Sequence, residues 1–337
     1  MMSEQHFSTK TLREASWGGH VRHILAAALQ AVEPAAAVRR YLQREGDTLV
    51  VGFETYDLPR YERILLLGAG KAGAPMARAV ADVLGDRLAE GVVIVKDEEG
   101  NAEPAGHLAA SSSAHSRLDI CAARHPLPDE RGVAATRRIA TLLEGATERD
   151  LVLILISGGG SALLTLPAQG ISLDDMQAFT AALLACGATI NEMNCLRKHL
   201  DLVKGGGLAR LAAPATVATL ILSDVVGSPL DVIASGPTVP DSTTFADAYA
   251  ILQRYHLDAQ VPAAVMAQIQ AGLRGATPET PKEGDPVFAK VSNLLVGSNP
   301  QAAAAALEAA RAAGFNALVL TTYLQGEARV VGRVLAA

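Results

Sequence analysis

Residues 150–161 read DLVLILISGGGS: six consecutive aliphatic residues, Leu151 to Ile156, then Ser157, three glycines and Ser161. An unbroken aliphatic run of this length fits a strand buried on both faces, which is the environment of a parallel sheet. The glycines after it fit the turn at which such a strand passes into a helix. The same unit recurs on either side. Residues 63–67 lead into GAGKAG and an alanine-rich helical stretch at 74–84, and 91–95 reads as the next strand. Residues 217–222 precede SDVVGSP, 291–296 precede GSNPQAAAAALEAARAAG, and 317–320 precede a further helix. Strands alternating with helices imply an α/β fold, a Rossmann-like, doubly wound parallel sheet. Right-handed crossovers put its glycine turns along one edge, where open α/β sheets bind ligands.

Composition sets the class. The 337 residues are 50% hydrophobic and 19% charged, with a formal net charge of −6. That is the balance of a globular chain and lowers the case for nucleic acid or an acidic membrane as partner. Cys121, Cys186 and Cys195 are few, scattered and without a CxxC pair, so buried thiols in a reducing compartment are expected. MMSEQHFSTK has no apolar core of a signal peptide, and no apolar run approaches the ~20 residues that span a bilayer, so a cytoplasmic location is expected. Residues 107–116 read as a surface loop and 275–286 as an exposed connector. Helices at 244–255 and 262–273 precede that connector. A domain boundary near 237–243 follows, giving units 1–238 and 239–337.

Four groups carry candidate chemistry. In GAGKAG, Gly68, Gly70 and Gly73 let backbone N–H groups approach an anion at a helix start, and Lys71 adds a cation. The GxGxxG spacing also matches the dinucleotide fingerprint, although Lys96 rather than an acid follows the second strand. Tight strand–helix packing alone is the alternative account of the glycines, and it leaves Lys71 unexplained. Ser157, Gly158, Gly159, Gly160 and Ser161 form a second anion nest with two hydroxyls; they are neither a GxSxG elbow nor a Walker A loop. Residues 190–200 read as a helix with Met193, Leu196 and Leu200 on one face and Asn191, Asn194 and Lys198 opposite. Arg197 lies on its flank, and Lys204 with three glycines follows. Asp224, at the end of the 217–222 strand, can hold Mg2+, receive a hydroxyl proton, or cap a turn. His125 and His199 read as structural.

Taken in order, GAGKAG, HPLPDERG, LISGGGSALLTLP, GATINEMNCLRKHLDLVKGGGLA, LILSDVVGSPLDVIASGPTVPD and LVGSNPQAAAAALEAA resemble the class II glycerate 2-kinases. This family's amino-terminal part is called the MOFRL-associated domain, and its members are often labelled hydroxypyruvate reductase. The resemblance runs from about Ala15 to Ala337. It implies two α/β domains with the site between them, and ATP- and Mg2+-dependent phosphorylation of the 2-hydroxyl of D-glycerate. It also implies roles: Lys71 in transfer, Ser157 to Ser161 as phosphate loop, Asn191, Arg197 and Lys198 beside the substrate, and Asp224 as the acidic strand end. Nucleotide and a small substrate are the partners implied, and a homodimer is admissible. Family members continue past the position of Ala337, through a glycine-rich stretch with a further catalytic arginine. The expectation is therefore a second (MOFRL) domain left incomplete, with 326–337 a helix entering an unfinished crossover. Two rival readings are an NAD(P)-dependent hydroxypyruvate reductase and a non-catalytic fragment that binds nucleotide or glycerate.

Overall fold

The computed structural model describes residues 4–97, 117–258 and 260–336; the loop expected at 107–116 lies outside them. Among these residues nine strands form two sheets. β1 (Leu42–Glu45), β2 (Thr48–Val51) and β3 (Glu54–Asp57) make a small antiparallel sheet. β4 (Arg63–Ala69), β5 (Glu90–Lys96), β6 (Leu118–Ala123), β7 (Asp150–Ser157), β8 (Thr216–Leu222) and β9 (Val291–Gly297) make a parallel sheet in the order β6-β5-β4-β7-β8-β9.

β7 behaves as its composition requires. Every one of its residues is buried. Leu151, Leu153 and Leu155 pack on one face with Met76, Val80 and Leu84 of helix Gly73–Leu84. Val152, Ile154 and Ile156 pack on the other with Ile139 of helix Glu130–Leu143 and with Leu163 and Leu208. Each aliphatic side chain so withdrawn from water contributes on the order of 1.5–3 kcal/mol, and helices on both faces make the sheet doubly wound. Its entry is fixed by Arg63, which donates from Nε and NH2 to both Asp150 oxygens at 2.8 Å. The chain leaves β4 toward β5 and β6 on one side and returns to β7, β8 and β9 on the other. The reversal point between β4 and β7 is where an open α/β sheet leaves a crevice.

A third core lies off the sheet. Phe179, Leu183, Met193, Leu196, Phe245, Leu252 and Ile269 join four helices, Leu173–Cys186, Ile190–His199, Phe245–Arg254 and Ala263–Leu273. Among the described residues no helix is long and apolar enough to cross a membrane.

The architecture departs from expectation at the carboxyl-terminal side. The second α/β sheet expected beyond residue 238 is absent among the described residues. β9 lies past that boundary yet extends the first sheet, with Val217 in register with Val291 and Leu220 with Leu294. β8 without β9 would expose a row of unpaired N–H and C=O groups, and pairing removes that cost. Residues 317–320 do not form the expected strand. Leu318 and Leu320 stand 75% and 72% exposed, and among the described residues no neighbouring strand supplies the hydrogen bonds a ladder needs. The helix expected at 326–337 forms as Ala328–Ala336. The β1–β3 sheet and β6 were not anticipated: their short, half-polar segments carry little alternation to read.

Candidate active site

A cavity of about 360 Å3 opens at the carboxyl ends of β7 and β8, between the sheet and the helical core. From the sheet come His125, Gly158, Gly159, Gly160, Ser161 and Asp224; from the helical side come Met176, Thr180, Ile190, Asn194 and Arg197.

The loop after β7 supplies its floor. Gly159 takes the left-handed conformation, φ +87°, which its missing Cβ allows. Among the described residues, the backbone N–H groups of Gly158, Gly159, Gly160 and Ser161 have no hydrogen-bond partner. Four successive free amides around a left-handed glycine make an anion nest. A Cβ built on Gly158 would lie 2.3 Å from Asp224 Oδ2, so that carboxylate rests against the loop. A Cβ on Gly159 would meet His125 Nε2 at 3.2 Å and Lys71 Cε at 3.3 Å. Lys71, His125 and Asp224 thus converge on the nest, and none of the three side chains is hydrogen-bonded to a described residue. Burial first, then the Lys71 and Lys96 charges, pull the His125 imidazole below its ordinary pKa, with Asp224 partly opposing.

Ser157 acts differently from the rest of the loop. It is buried, and its Oγ accepts from the Ala72 N–H at 3.0 Å while Lys71 N–H donates to Gly158 O at 2.9 Å. The two glycine turns expected to hold phosphate are therefore bonded to each other, and Ser157 does not line the cavity.

Gly68, Gly70 and Gly73 depart from the reading as an anion cradle. Gly70 N–H donates to Ile94 O, Ala72 N–H to Ser157 Oγ and Gly73 N–H to Gly70 O. An added Cβ would meet Leu155 O at 2.3 Å from Gly68, Ser157 Oγ at 2.0 Å from Gly70 and Val93 Cγ1 at 2.9 Å from Gly73. These glycines let β4, β7 and the following helix approach closely, and their amides are engaged. Lys71 alone of this turn reaches the site.

The helical wall is set by a capping box. Thr189 caps helix Ile190–His199, and Glu192 returns the bond to the Thr189 N–H at 2.8 Å. That bond first, with Thr189 Oγ1, Tyr255 and Arg254 adding, lowers the Glu192 carboxyl to about 2. On the helix so fixed, Asn194 and Arg197 lie one turn apart on the cavity side. The Arg197 guanidinium makes no hydrogen bond or ion pair with a described residue. Burial lowers its pKa, Asp201 partly opposing, yet an arginine stays cationic.

Two of the expected substrate-side residues lie elsewhere. Asn191 is exposed in the first turn and does not line the cavity. Lys198 is buried and paired with Asp241 at 3.2 Å, behind the wall. It lies about 100° round the helix from Arg197, and its ammonium is directed to Asp241 instead of the cavity. Lys204 touches the cavity but donates to Leu164 O, Thr165 Oγ1 and Asp201 Oδ2. Its site is buried, which pulls Lys204 down and Asp201 up.

Sequence reads His125 as structural and Asn194 only as part of the polar face of its helix. A histidine before proline looks like any loop histidine, and the signal that could have found it is its place after the β6 strand. Among the described residues no group of three His, Cys, Asp or Glu gathers to hold a metal. Among the described residues, Asp224 is the single carboxylate lining the cavity. One carboxylate beside an anion nest does suit Mg2+, which commonly binds through one or two carboxylates together with phosphate oxygens.

Residues 20–270 match the family described as "Domain of unknown function (DUF4147)". The chain is 40% identical over 305 residues to a glycerate 2-kinase of Pyrococcus horikoshii, covering 90% of this chain and 65% of that protein. It is 38% identical over 322 residues to a glycerate kinase of Danio rerio, covering 95% and 64%. A solved glycerate kinase from Thermotoga maritima superposes with a TM-score of 0.74 at 38% identity, covering 93% of this chain and 66% of that one. The chain thus spans a little under two thirds of the length of the relatives it matches.

Proposed function

The chain belongs to the DUF4147 family, and from that premise we propose that it acts as a glycerate 2-kinase, transferring a phosphoryl group from ATP to the 2-hydroxyl of D-glycerate. One observation carries the reading. A nest of amides with a lysine and a carboxylate beside it shares a cavity with an arginine, and neither the amides nor the guanidinium has a partner among the described residues.

Phosphoryl transfer demands mainly position and neutralised charge. The N–H groups of residues 158–161 receive the phosphoryl oxygens, and Lys71 adds a mobile cation as charge builds on them. Asp224 is the residue that would hold Mg2+ against those oxygens. When bound, the ion supplies charge neutralisation at the phosphates. Arg197, across the cavity, receives the glycerate carboxylate in a fork of donors. The remaining acceptor is the His125 imidazole, held neutral by burial and by the nearby lysines. It takes the 2-hydroxyl proton as the oxygen bonds to phosphorus and the bond to ADP breaks. Asn191 and Lys198 are left out of this assignment, Lys198 because Asp241 already neutralises it.

The hydroxypyruvate reductase reading is not favoured. The fingerprint glycines have engaged amides, and Asp97, after β5, is paired with Arg131 at 2.9 Å. The test is ADP release that requires both Mg-ATP and D-glycerate, with 2-phosphoglycerate identified by phosphorus NMR. Lys71→Ala should lower kcat about 100-fold, with a smaller change in apparent ATP affinity. NADH consumption on hydroxypyruvate without ADP release would overturn the proposal.

A further inference from the structure

Behind the nest a short chain of polar groups runs from half-buried Ser161 to buried Ser235 and Asn194. Ser161 Oγ lies 3.0 Å from Ser235 Oγ, and Ser235 Oγ lies 3.1 Å from Asn194 Oδ1, to which it donates. A serine hydroxyl has one proton. With that of Ser235 given to Asn194, Ser161 must donate to Ser235, and its own proton then points away from the cavity. The same arrangement leaves Asn194 Nδ2 buried with no acceptor among the described residues, an arrangement proteins rarely keep without a reason. A half-turn of the amide about Cβ–Cγ exchanges its oxygen and nitrogen in nearly the same volume. Nδ2 then donates to Ser235, Ser235 donates to Ser161, and the Ser161 proton turns outward beside the four free amides.

We propose that Asn194 and Ser235 are positioning residues that aim the Ser161 hydroxyl at a phosphoryl oxygen held by residues 158–161. The inference rests on the phosphate reading of that loop. An anion draws the chain in the outward direction, because a hydroxyl bonds more strongly to a charged acceptor. Each bond in such a series also polarises the next. The backbone is arranged around this contact. Ala234 and Ser235 hold φ of +51° and +61°, a conformation costly for residues with a Cβ, found chiefly where function requires it. A Cβ on Gly160 would meet the Ala234 Cβ at 2.7 Å, so the strained turn and the nest lie directly against each other.

A double-mutant cycle on the 337-residue chain tests this, with Mg-ATP affinity measured by calorimetry and folding checked by circular dichroism. Ser161→Ala should weaken binding about 10-fold, the loss of one hydrogen bond to a charged group. Asn194→Leu, which keeps the shape and removes the donor, should weaken it about 3- to 10-fold. In the Ser161→Ala background, Asn194→Leu should have no further effect, since its action passes through that hydroxyl. Ser235→Ala cuts the chain at its middle and should behave alike, which keeps the test open if Asn194→Leu fails to fold. Equal affinity in Asn194→Leu and the unaltered chain overturns the inference and leaves the phosphate reading standing. So does an undiminished loss in the Ser161→Ala background. Absence of Mg-ATP binding to the unaltered chain overturns both.

Discussion

Two glycine triplets, residues 158–160 and residues 205–207, are alike in sequence and opposite in use. In the first, every N–H lacks a partner among the described residues. In the second, Gly205 donates to Ser235 O, Gly206 to Gly236 O and Gly207 to Lys204 O. The first triplet faces a cavity with a lysine, a histidine and a carboxylate around it. The second is buried, and what crowds it is backbone and core: Leu202 O lies 2.2 Å from a Cβ placed on Gly207, and Phe288 Cζ 2.8 Å from one on Gly206. Three glycines in a row therefore mean either amides left open for a ligand or chains brought into contact. Hydrogen-bond accounting tells the two apart, and composition does not.

Substitution should expose the difference most sharply in the second triplet. Gly207→Ala drives a methyl into the Leu202 carbonyl, a fixed backbone atom. Overpacking of that kind should cost about 3 kcal/mol of stability, read as a lower midpoint in urea unfolding. A midpoint within error of the unaltered chain would mean the triplet is not a packing device.

The converse applies to the first triplet. In Gly158→Ala the methyl meets the end of the exposed Asp224 side chain, which can swing aside. Stability should change by less than ~1 kcal/mol. Mg-ATP affinity should fall about 10-fold, because the nest is crowded and its carboxylate displaced. Loss of stability with affinity intact would reverse the comparison.

A smaller effect concerns the wall opposite the nest. Glu192, held at about 2 against an ordinary 4.5, caps the helix that carries Asn194 and Arg197. A carboxyl with a lowered folded-state pKa stabilises above its ordinary value, and that contribution is lost as pH falls toward the folded value. Unfolding midpoints should therefore drop between pH 5 and about pH 2. The drop should be smaller in Glu192→Gln, and an identical pH dependence in both chains would remove Glu192 from the account.

Much of this was legible in the residues themselves. An uninterrupted run such as Leu151 to Ile156 has no polar face to offer water, so it must be covered on both sides whatever surrounds it. The GAGKAG and SGGGS turns after their strands fix the edge where ligands belong. The quoted motifs carried the family resemblance, and the family match agrees with it. Lys71, the loop after β7 and Asp224 could be named on local grounds, because a cation or carboxylate next to a glycine turn is visible in one dimension, while the substrate-side role of Arg197 came only with the resemblance.

Tertiary structure alone decided which groups remain available. GAGKAG and KGGGLA look like anion cradles until their amides are followed to Ile94 O, Ser157 Oγ and Ser235 O. Those partners are up to 85 residues distant in the chain, the separation of Ala72 from Ser157. Lys198 and Arg197 are neighbours in sequence, and only the angle at which their helix meets the sheet sends one to Asp241 and the other to the cavity. His125 and Asn194 gain meaning the same way, one from lying beside Gly159 and the other from standing behind Ser235. Sequence specifies which groups a chain owns through local pattern and burial. Whether a given N–H, ammonium or amide is free to meet a ligand depends on long-range pairing, which no local pattern records.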